Sequence, residues 1–205
     1  QTSLVGSEMC IRDRLYTPPV FGPLGQDIDG EAAQDFAGSS VALNAAGNRM
    51  IVGAYGNDGA GGTAGHARIY EWNGTTWNQL GADIDGEAAG DQSGWSVAMS
   101  GNGNRVIIGA RFNDGNNSNS GQVRMYQWSG SAWVQMGADI DGESALDQFG
   151  YAVSMNDAGD RIAVGAINND GNNSNSGHVR IYSWNGTSWG QVGADINGEA
   201  GGDQS

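Results

Sequence analysis

Short apolar runs separated by polar turns follow one another along the chain, and no window keeps a helical period. Apolar residues dominate at 105–110, whereas 122–128 alternates between apolar and polar side chains. A continuous apolar run is typical of a strand buried on both faces, and alternation is typical of a half-buried strand. With further runs at 96–100 and 133–140, the pattern predicts four β-strands in this stretch.

The turns between these runs contain the residues that hairpins need. The Gly-Asn-Gly-Asn turn at 101–104 follows the first run, and glycine and asparagine tolerate the positive φ of tight turns. Ser129-Gly130 follows the third run, and its counterparts are Asn73-Gly74 and Asn185-Gly186, the strongest two-residue hairpin signal. We therefore expect antiparallel neighbours joined by short loops.

The same pattern recurs with a period of 56 residues. The segment at 24–33 returns at 80–89, at 136–145 and again from 192, without an insertion. A fixed period in this range indicates a repeat architecture, and four short antiparallel strands per repeat are typical of a β-propeller blade. One such unit can bury its faces only against its neighbours. A generic all-β array is the alternative.

The predicted fold class is therefore all-β, with three consecutive four-stranded antiparallel blades of a truncated β-propeller. The blades are expected at 34–89, 90–145 and 146–201. We expect residues 16–33 to contain the last strand of a preceding blade and 202–205 to begin a next one. Residues 1–15, with the single cysteine, match nothing in the repeat and are interpreted as an adapter-derived, non-native or disordered leader.

Composition and charge restrict the partners. The 205 residues include 36 glycines, seven tryptophans and six tyrosines, which favours turn-dense β-structure over disorder. The net charge is −14 and lysine is absent, so nucleic acid and anionic membranes are poor partners, because few cations are present to neutralise phosphate. No apolar run approaches the roughly 18 residues of a membrane span, and we expect no membrane insertion.

Two short motifs in the third unit resemble a known repeat. Phe149-Gly150 matches the FG element and Gly165-Ala166 the start of the GAP element of the FG-GAP repeat. The chain therefore resembles integrin-α-like β-propellers over residues 24–205, and their bacterial surface-protein relatives in particular. The resemblance implies a seven-bladed complete propeller, an extracellular or cell-surface location, and adhesion or recognition rather than catalysis.

The sequence departs from this family pattern in three places. The FG element reads Phe36-Ala-Gly38 in the first unit and Ser93-Gly94 in the second. The GAP proline is replaced by Tyr55, Arg111 and Ile167. The family's calcium loop joins the first two strands of a blade, but only the third unit has two aspartates there, so we expect that calcium site to be lost.

A different acidic segment recurs between the units and could bind Ca²⁺. Each copy has four carboxylates within nine residues, bent by a glycine. The copies are Asp27, Asp29, Glu31 and Asp35; then Asp83, Asp85, Glu87 and Asp91; and then Asp139, Asp141, Glu143 and Asp147. The alternative is a connection between blades whose aspartates bind turn amides or arginines.

Six arginines also recur at the 56-residue spacing. The two sets are Arg49, Arg105 and Arg161, and Arg68, Arg124 and Arg180. A residue that stands at the same place in every blade usually serves the blade itself. We expect these arginines to form bidentate pairs with the recurring aspartates.

Positions that change from unit to unit are better candidates for a binding site. In a propeller, the loops after the second strand lie on the same face as the connections between blades. The residues expected on this face are Tyr55, Trp95, Arg111, Phe112, Tyr151 and Ile167. Exposed aromatic residues with an arginine are typical of binding hot spots. Sequence drift on an unused surface is the alternative.

Catalysis has little support in the sequence. His66 and His178 occupy equivalent strand positions with Gln122 between them, and no nucleophile elbow or zinc spacing occurs. The leading hypothesis is a non-catalytic extracellular recognition module that binds a protein or glycan. The alternatives are a structural spacer, or a scaffold attached to an enzyme domain elsewhere. We also expect the chain to self-associate through open blade faces.

Overall fold

A computed structural model describes residues 22–171 and 173–202, and every regular element in this part of the chain is a β-strand. The first sheet contains β1 (Ser40–Leu43), β2 (Arg49–Ala54), β3 (His66–Trp72), β4 (Trp77–Gln79) and β5 (Ile84–Asp85). The second contains β6 (Ser93–Met99), β7 (Arg105–Ala110), β8 (Gln122–Trp128), β9 (Trp133–Gln135) and β10 (Ile140–Asp141). The third contains β11 (Phe149–Met155), β12 (Arg161–Ala166), β13 (His178–Trp184), β14 (Trp189–Gln191) and β15 (Ile196–Asn197).

The three sheets share one antiparallel topology, and this confirms the predicted all-β repeat architecture. Four strands follow one another in sequence order, from β1 to β4 in the first sheet. The predicted leader at 1–15 lies outside the described residues, as do 16–21 and 203–205. Within the described part of the chain, no helix is long and apolar enough to span a membrane.

The fourth strand differs from the prediction of one continuous strand at 133–140. It is divided into β9 and β10, which pair with opposite ends of β8 along the same edge. Gly137 lies between the two pieces with a φ of 78°, a conformation that an extended strand does not adopt. The Gln135 amide also donates to the Asp139 carboxylate across this kink. The prediction of one continuous fourth strand was therefore wrong.

The first strand of the second sheet begins three residues earlier than predicted, at Ser93 rather than Ser96. Its pairing with β7 shifts in register between these two residues, where Gly94 has a φ of 84°. This is a β-bulge, which bends the strand and changes the direction of the side chains that follow it. The bulge lies at the FG element of the family motif.

The hairpins contain the predicted glycines, but the two-residue turn lies one residue later. The Asn73 N–H donates to the Thr76 carbonyl, so Gly74 and Thr75 are the central residues. Gly74 has a φ of 101°, and the Asn73 side-chain oxygen accepts the N–H groups of Thr75 and Thr76. Glycine at the first central position is typical of a type II′ turn. Asn73 precedes the two central residues and stabilises the turn through its side-chain hydrogen bonds.

The hydrophobic core lies between neighbouring sheets. Ile51 and Ile69 of the first sheet pack against Val97, Met99 and Ile108 of the second. A second cluster of the same kind joins the second and third sheets through Ile107, Val123, Met125, Phe149, Ile162 and Val164. Each sheet therefore contributes one face to each neighbour, as blades of a propeller do.

Glycine allows the sheets to come close at the FG and GAP elements. A Cβ atom on Gly109 would lie 2.2 Å from the Gly150 carbonyl oxygen of the next sheet. Gly150 itself has a φ of 86°, and Ser96 Oγ donates a 2.7 Å hydrogen bond to its carbonyl. The two glycines of the motif thus form a backbone contact between blades, and any larger residue at Gly109 would separate them.

The outer face of the first sheet carries apolar side chains like those of the buried faces, but no sheet of the described residues covers it. Val41 is 60% exposed, whereas its counterpart Val97 is 7% exposed because the first sheet covers it. Val41 and Leu43 line an apolar groove together with Leu24, Met50 and Trp77. This face has the composition of one that packs against another sheet.

Candidate functional site

Aromatic side chains form a row that crosses the three sheets. We call the series Phe36, Tyr55, Trp95 and Tyr151, together with Arg111, the aromatic row. The rings of Phe36 and Tyr55 are stacked with centroids 4.9 Å apart and an interplanar angle of 4°. Tyr55 and Trp95 are also 4.9 Å apart, and Trp95 and Tyr151 are 5.6 Å apart. These separations are typical of favourable aromatic pairs.

The position of each ring follows from the strand order. Tyr55 comes directly after β2, at the residue where the family motif has proline. Trp95 and Tyr151 lie in the bulges of β6 and β11, and the bulge turns them away from the hydrophobic core. All three are half-buried, so the rings support one another and still present a surface to solvent.

Arg111 lies over the middle of the row. Its guanidinium carbon is 3.2 Å from the Trp95 ring centroid, 4.3 Å from that of Phe112 and 5.8 Å from that of Tyr151. Its Nε donates a 2.9 Å hydrogen bond to the Gln92 side chain. Burial lowers the pKa of Arg111, but arginine remains charged in proteins.

No carboxylate among the described residues forms an ion pair with Arg111. Arg49, Arg68, Arg124 and Arg180 each have a glutamate partner, whereas Arg105 and Arg161, like Arg111, form no ion pair with a carboxylate of the described residues. Aromatic faces stabilise the Arg111 cation instead, through cation–π contacts. The Arg111 Nε is used by Gln92, but the two terminal guanidinium nitrogens can bind an anionic or polar ligand group.

The structure brings together five of the six residues that the sequence predicted for this face, namely Tyr55, Trp95, Arg111, Phe112 and Tyr151. Ile167 occupies the position of Tyr55 and Arg111 in the third sheet, is half-buried, and forms no part of the row.

Sequence reasoning missed Phe36, which was assigned to the FG element. Its φ of 55° matches the 56° of both Gln92 and Gln148, so Phe36 stands at the position of these glutamines. Alignment of the units at 56 residues without a gap would have revealed it.

The acidic segments do not gather their four carboxylates at one point. Asp91 and Asp147 are buried, and each accepts a backbone N–H of its own turn and a side-chain amide. The partners of Asp91 Oδ2 are the Ala88 N–H at 2.9 Å and the Asn113 amide at 3.0 Å. These two aspartates therefore hold the connection between blades, which supports the alternative interpretation of these residues.

The first unit has the same arrangement at Asp35. Its Oδ2 accepts the Ala32 N–H at 2.9 Å and the Asn57 amide at 3.1 Å. Burial by itself opposes ionisation of Asp35, but the N–H donors more than offset it, so the pKa of Asp35 lies below its usual value. The carboxylate is thus held charged as an acceptor in the fold.

The remaining carboxylates are divided between two neighbouring repeats. Asp83 and Asp85 face His66 of their own sheet, at 3.6 Å and 4.0 Å from its Nδ1. Glu87 instead accepts a hydrogen bond from Gln122 and lies 3.7 Å from Arg124 in the next sheet. Calcium binding by one acidic segment stays a prediction, but the grouping of ligands differs from the expected one.

In the second repeat, Glu87 and Asp141 meet at Gln122. The Gln122 amide donates to Glu87 and to Asp141, both at 3.1 Å. Burial raises the pKa of Asp141, and the negative charges of Asp139 and Glu87 raise it further, against the hydrogen bond from Gln122.

In the third repeat, the equivalent carboxylates are bound by an arginine. Arg180 forms a bidentate pair with Asp195, with contacts of 2.8 and 2.6 Å, and also contacts Glu143 at 2.6 Å. These bonds lower the pKa of Asp195 to about 2.

The prediction that all recurring arginines pair with aspartates was wrong for most of them. Arg180 does so, but Arg124 donates to the Asp85 backbone carbonyl and pairs with Glu87. Arg49 pairs with Glu71 within its sheet and donates to Asn104 in the next one. Glutamates are therefore the usual partners, within the sheet for Arg49 and from the preceding acidic segment for Arg68, Arg124 and Arg180.

The turns where the family has its calcium loop are filled by their own polar groups. Asn44 Oδ1 accepts the N–H groups of Asn48 and Arg49, and its amide donates to the Asn48 side chain. Asn156 makes the equivalent contacts with Asp160 and Arg161. These internal bonds replace the ligands that a calcium loop would direct inward.

Comparison with known proteins agrees with this geometry. The model of the FG-GAP repeat matches residues 83–126 and 139–182. A solved structure from Bacteroides uniformis, described as a candidate 6-phosphogluconolactonase, has a similar fold, with a TM-score of 0.52 and 10% sequence identity. The similarity covers 77% of this chain and 40% of that protein, and it concerns the fold alone. No curated protein matches the chain.

Each matched segment begins in the acidic connection and ends in the third strand of the next sheet, so it includes the bulge. Gly109 of the inter-sheet contact lies in the first matched segment and Gly150 in the second. The FG-GAP repeats at 83–126 and 139–182, together with the repeated four-stranded antiparallel sheets, fit an FG-GAP-like β-propeller, as the sequence motifs predicted.

Proposed function

We propose that this chain is a non-catalytic recognition module of an extracellular or surface protein, and that it binds its partner through the aromatic row. One observation carries this proposal: a continuous row of rings crosses three sheets and holds an arginine that lacks a carboxylate partner. FG-GAP repeats are typical of extracellular or surface proteins, and this supports the location.

The chemistry of the row suits a protein or a glycan. Aromatic rings and arginine supply most of the binding energy at many interfaces. Tyrosine and tryptophan do so because they bury a large area and lose little conformational entropy. The apolar faces of sugar rings can stack on the exposed ring surfaces of the aromatic row, while the Arg111 guanidinium, which covers one face of Trp95, binds a carboxylate or hydroxyl group. The net charge of −14 disfavours nucleic acid and anionic membranes as partners.

Glycan arrays and surface-protein arrays, probed with the labelled chain, test the proposal. We expect a ligand whose affinity falls about 25-fold or more in Trp95→Ala and in Arg111→Ala, which corresponds to a hot-spot loss of about 2 kcal/mol. Val192→Ala, an exposed position that follows the outer strand β14, is the control and should keep full affinity.

An array without any bound ligand would support the alternative of a structural spacer. That alternative rests on the arginines and tryptophans that stand at the same place in every repeat. A ligand that binds all three variants equally would place the binding surface elsewhere and contradict the proposal.

A further inference from the structure

A histidine and two carboxylates from neighbouring repeats converge beside the first sheet. One ligand atom of each of Glu31, His66 and Asp83 lies within 4.8 Å of the other two. His66 Nδ1 is 3.6 Å from Asp83 Oδ2, and the Asp85 carboxylate is 4.0 Å from the same nitrogen. The group therefore combines one imidazole with carboxylates from the end of its own sheet and from the preceding acidic segment.

The imidazole is buried and poorly satisfied. His66 is 1% exposed, and its Nε2 has no hydrogen-bond partner among the described residues. Its Nδ1 faces the carboxylates at distances that exceed a hydrogen bond. A buried polar side chain without partners costs free energy, so this arrangement needs an explanation. A cation among the carboxylates would give His66 Nδ1, the nitrogen that faces them, a direct partner.

We propose that Glu31, His66 and Asp83 bind a divalent transition-metal ion of the Zn²⁺ type, with Asp85 beside them. Imidazole nitrogen with carboxylate oxygens is a ligand set for zinc, whereas calcium prefers six or more oxygen atoms. This site is distinct from the aromatic row and does not depend on the proposed function.

The distances are close to those of a metal site. Ligand atoms at about 2.1 Å from a shared zinc ion lie about 3.4 Å apart in a tetrahedron. The Glu31 side chain is about half exposed, lies 3.6 Å from Arg68 and accepts a 3.3 Å hydrogen bond from the Asn57 side-chain amide. It would exchange these contacts for the ion to complete the site. Three carboxylates against the single Arg68 guanidinium leave an excess of negative charge for the ion.

The other two repeats lack this arrangement for identifiable reasons. Gln122 replaces the histidine in the second repeat, and its amide already donates to Glu87 and Asp141. His178 is present in the third repeat, but Arg180 binds both Asp195 and Glu143 there. The chain thus contains two natural comparisons for a site that only the first repeat completes.

Equilibrium dialysis of the whole chain with ZnCl₂ tests the inference. We expect one tightly bound Zn²⁺ per chain, released by EDTA, and no comparable site for CaCl₂. His66→Gln copies the residue that the second repeat carries, so it should fold normally and lower the zinc affinity at least about tenfold. His178→Gln is the matched control and should bind zinc as the original chain does.

A gain-of-site variant provides an independent measurement. Gln122→His would place an imidazole beside Glu87 and Asp141, and we expect it to add a second zinc ion per chain. Undiminished zinc binding by His66→Gln, an equal loss in His178→Gln, or no stoichiometric binding by the original chain would each overturn the proposal. Circular dichroism of every variant checks that the β-structure is retained.

Discussion

The side-chain amide of Asn113 donates a 3.0 Å hydrogen bond to the buried carboxylate of Asp91, and the pair recurs as Asn57 with Asp35 and Asn169 with Asp147. Each pair joins the loop after the second strand to the connection that precedes the same sheet. The aromatic row begins in the same loops, so this hydrogen bond also positions Tyr55 and Arg111.

Removal of the Asp91 carboxylate should destabilise the chain. In Asp91→Ala, the Ala88 N–H and the Asn113 amide lose their acceptor in a buried place, and each unsatisfied donor costs about 1–3 kcal/mol. Urea unfolding followed by circular dichroism measures the change. Asp157→Ala, an exposed aspartate in the turn between β11 and β12, is the control and should stay within about 0.5 kcal/mol of the original.

Acid should weaken the fold through Asp195. The Arg180 guanidinium holds the pKa of Asp195 at about 2 in the folded chain, well below the ordinary value of an aspartate. A group whose folded pKa is lowered stabilises the fold above its unfolded pKa, and this contribution is lost as the pH falls from about 4 to about 2. Unfolding midpoints in urea between pH 5 and pH 2 measure the loss.

The variant Arg180→Gln should flatten that dependence, because it removes the bonds that lower the pKa of Asp195. Asp141 acts in the opposite direction: its raised pKa means that protonation relieves an unfavourable charge, so Asp141→Asn should steepen the loss on acidification. An acid transition that is identical in all three proteins would contradict the assignment to these groups.

A methyl group at the inter-sheet glycine contact should be damaging. In Gly109→Ala, the new Cβ would lie 2.2 Å from the Gly150 carbonyl oxygen, and the second and third sheets would have to separate. Overpacking of this kind costs roughly 1–3 kcal/mol. The matched control is Gly165→Ala at the same place in the third sheet, where the nearest atom is 3.7 Å away. Equal stability of the two variants in thermal unfolding would show that the close contact is unimportant.

The open face of the first sheet should cause self-association of the 205-residue chain. Val41 and Leu43 are exposed, although the equivalent Val97 and Met99 are buried by a neighbouring sheet. We expect dimers or larger species in multi-angle light scattering, and their dissociation in Val41→Asp. Val134→Asp changes an equally exposed valine on the outer strand β9 and should have no such effect. A monodisperse monomer at high concentration would contradict the prediction.

Much of the architecture could be read from the sequence because it repeats. The strands β7 and β8 lie at the residues that the apolar pattern predicted, and the hairpin glycines are at the turns. Local rules set these features, since the alternation of side chains and the conformations open to glycine depend on neighbouring residues alone. The division of the fourth strand was missed because one glycine in a polar stretch gives a weak signal.

The candidate sites were only partly visible in the sequence. Variation between repeats singled out Tyr55, Trp95 and Arg111, because a residue that serves only the scaffold tends to recur. Phe36 was missed because it was matched to the phenylalanine of the FG element, which corresponds to Ser93. At the 56-residue spacing, Phe36 corresponds to Gln92, one residue earlier. The four carboxylates of each acidic segment were predicted as ligands of one ion. In the structure, Asp91 accepts a hydrogen bond within its own turn and Glu87 pairs with Arg124 of the next sheet.

The 56-residue period by itself determined the repeated four-stranded antiparallel sheets and the order of their strands. Only the tertiary structure decided which side chains meet, because the contacts that matter lie between sheets. The row from Phe36 to Tyr151 and the cluster of Glu31 with His66 each combine residues of different repeats. Such contacts depend on how one sheet packs against the next, and glycines allow the two backbones to come close. The pattern of apolar and polar residues along a strand contains no information about the distance between sheets.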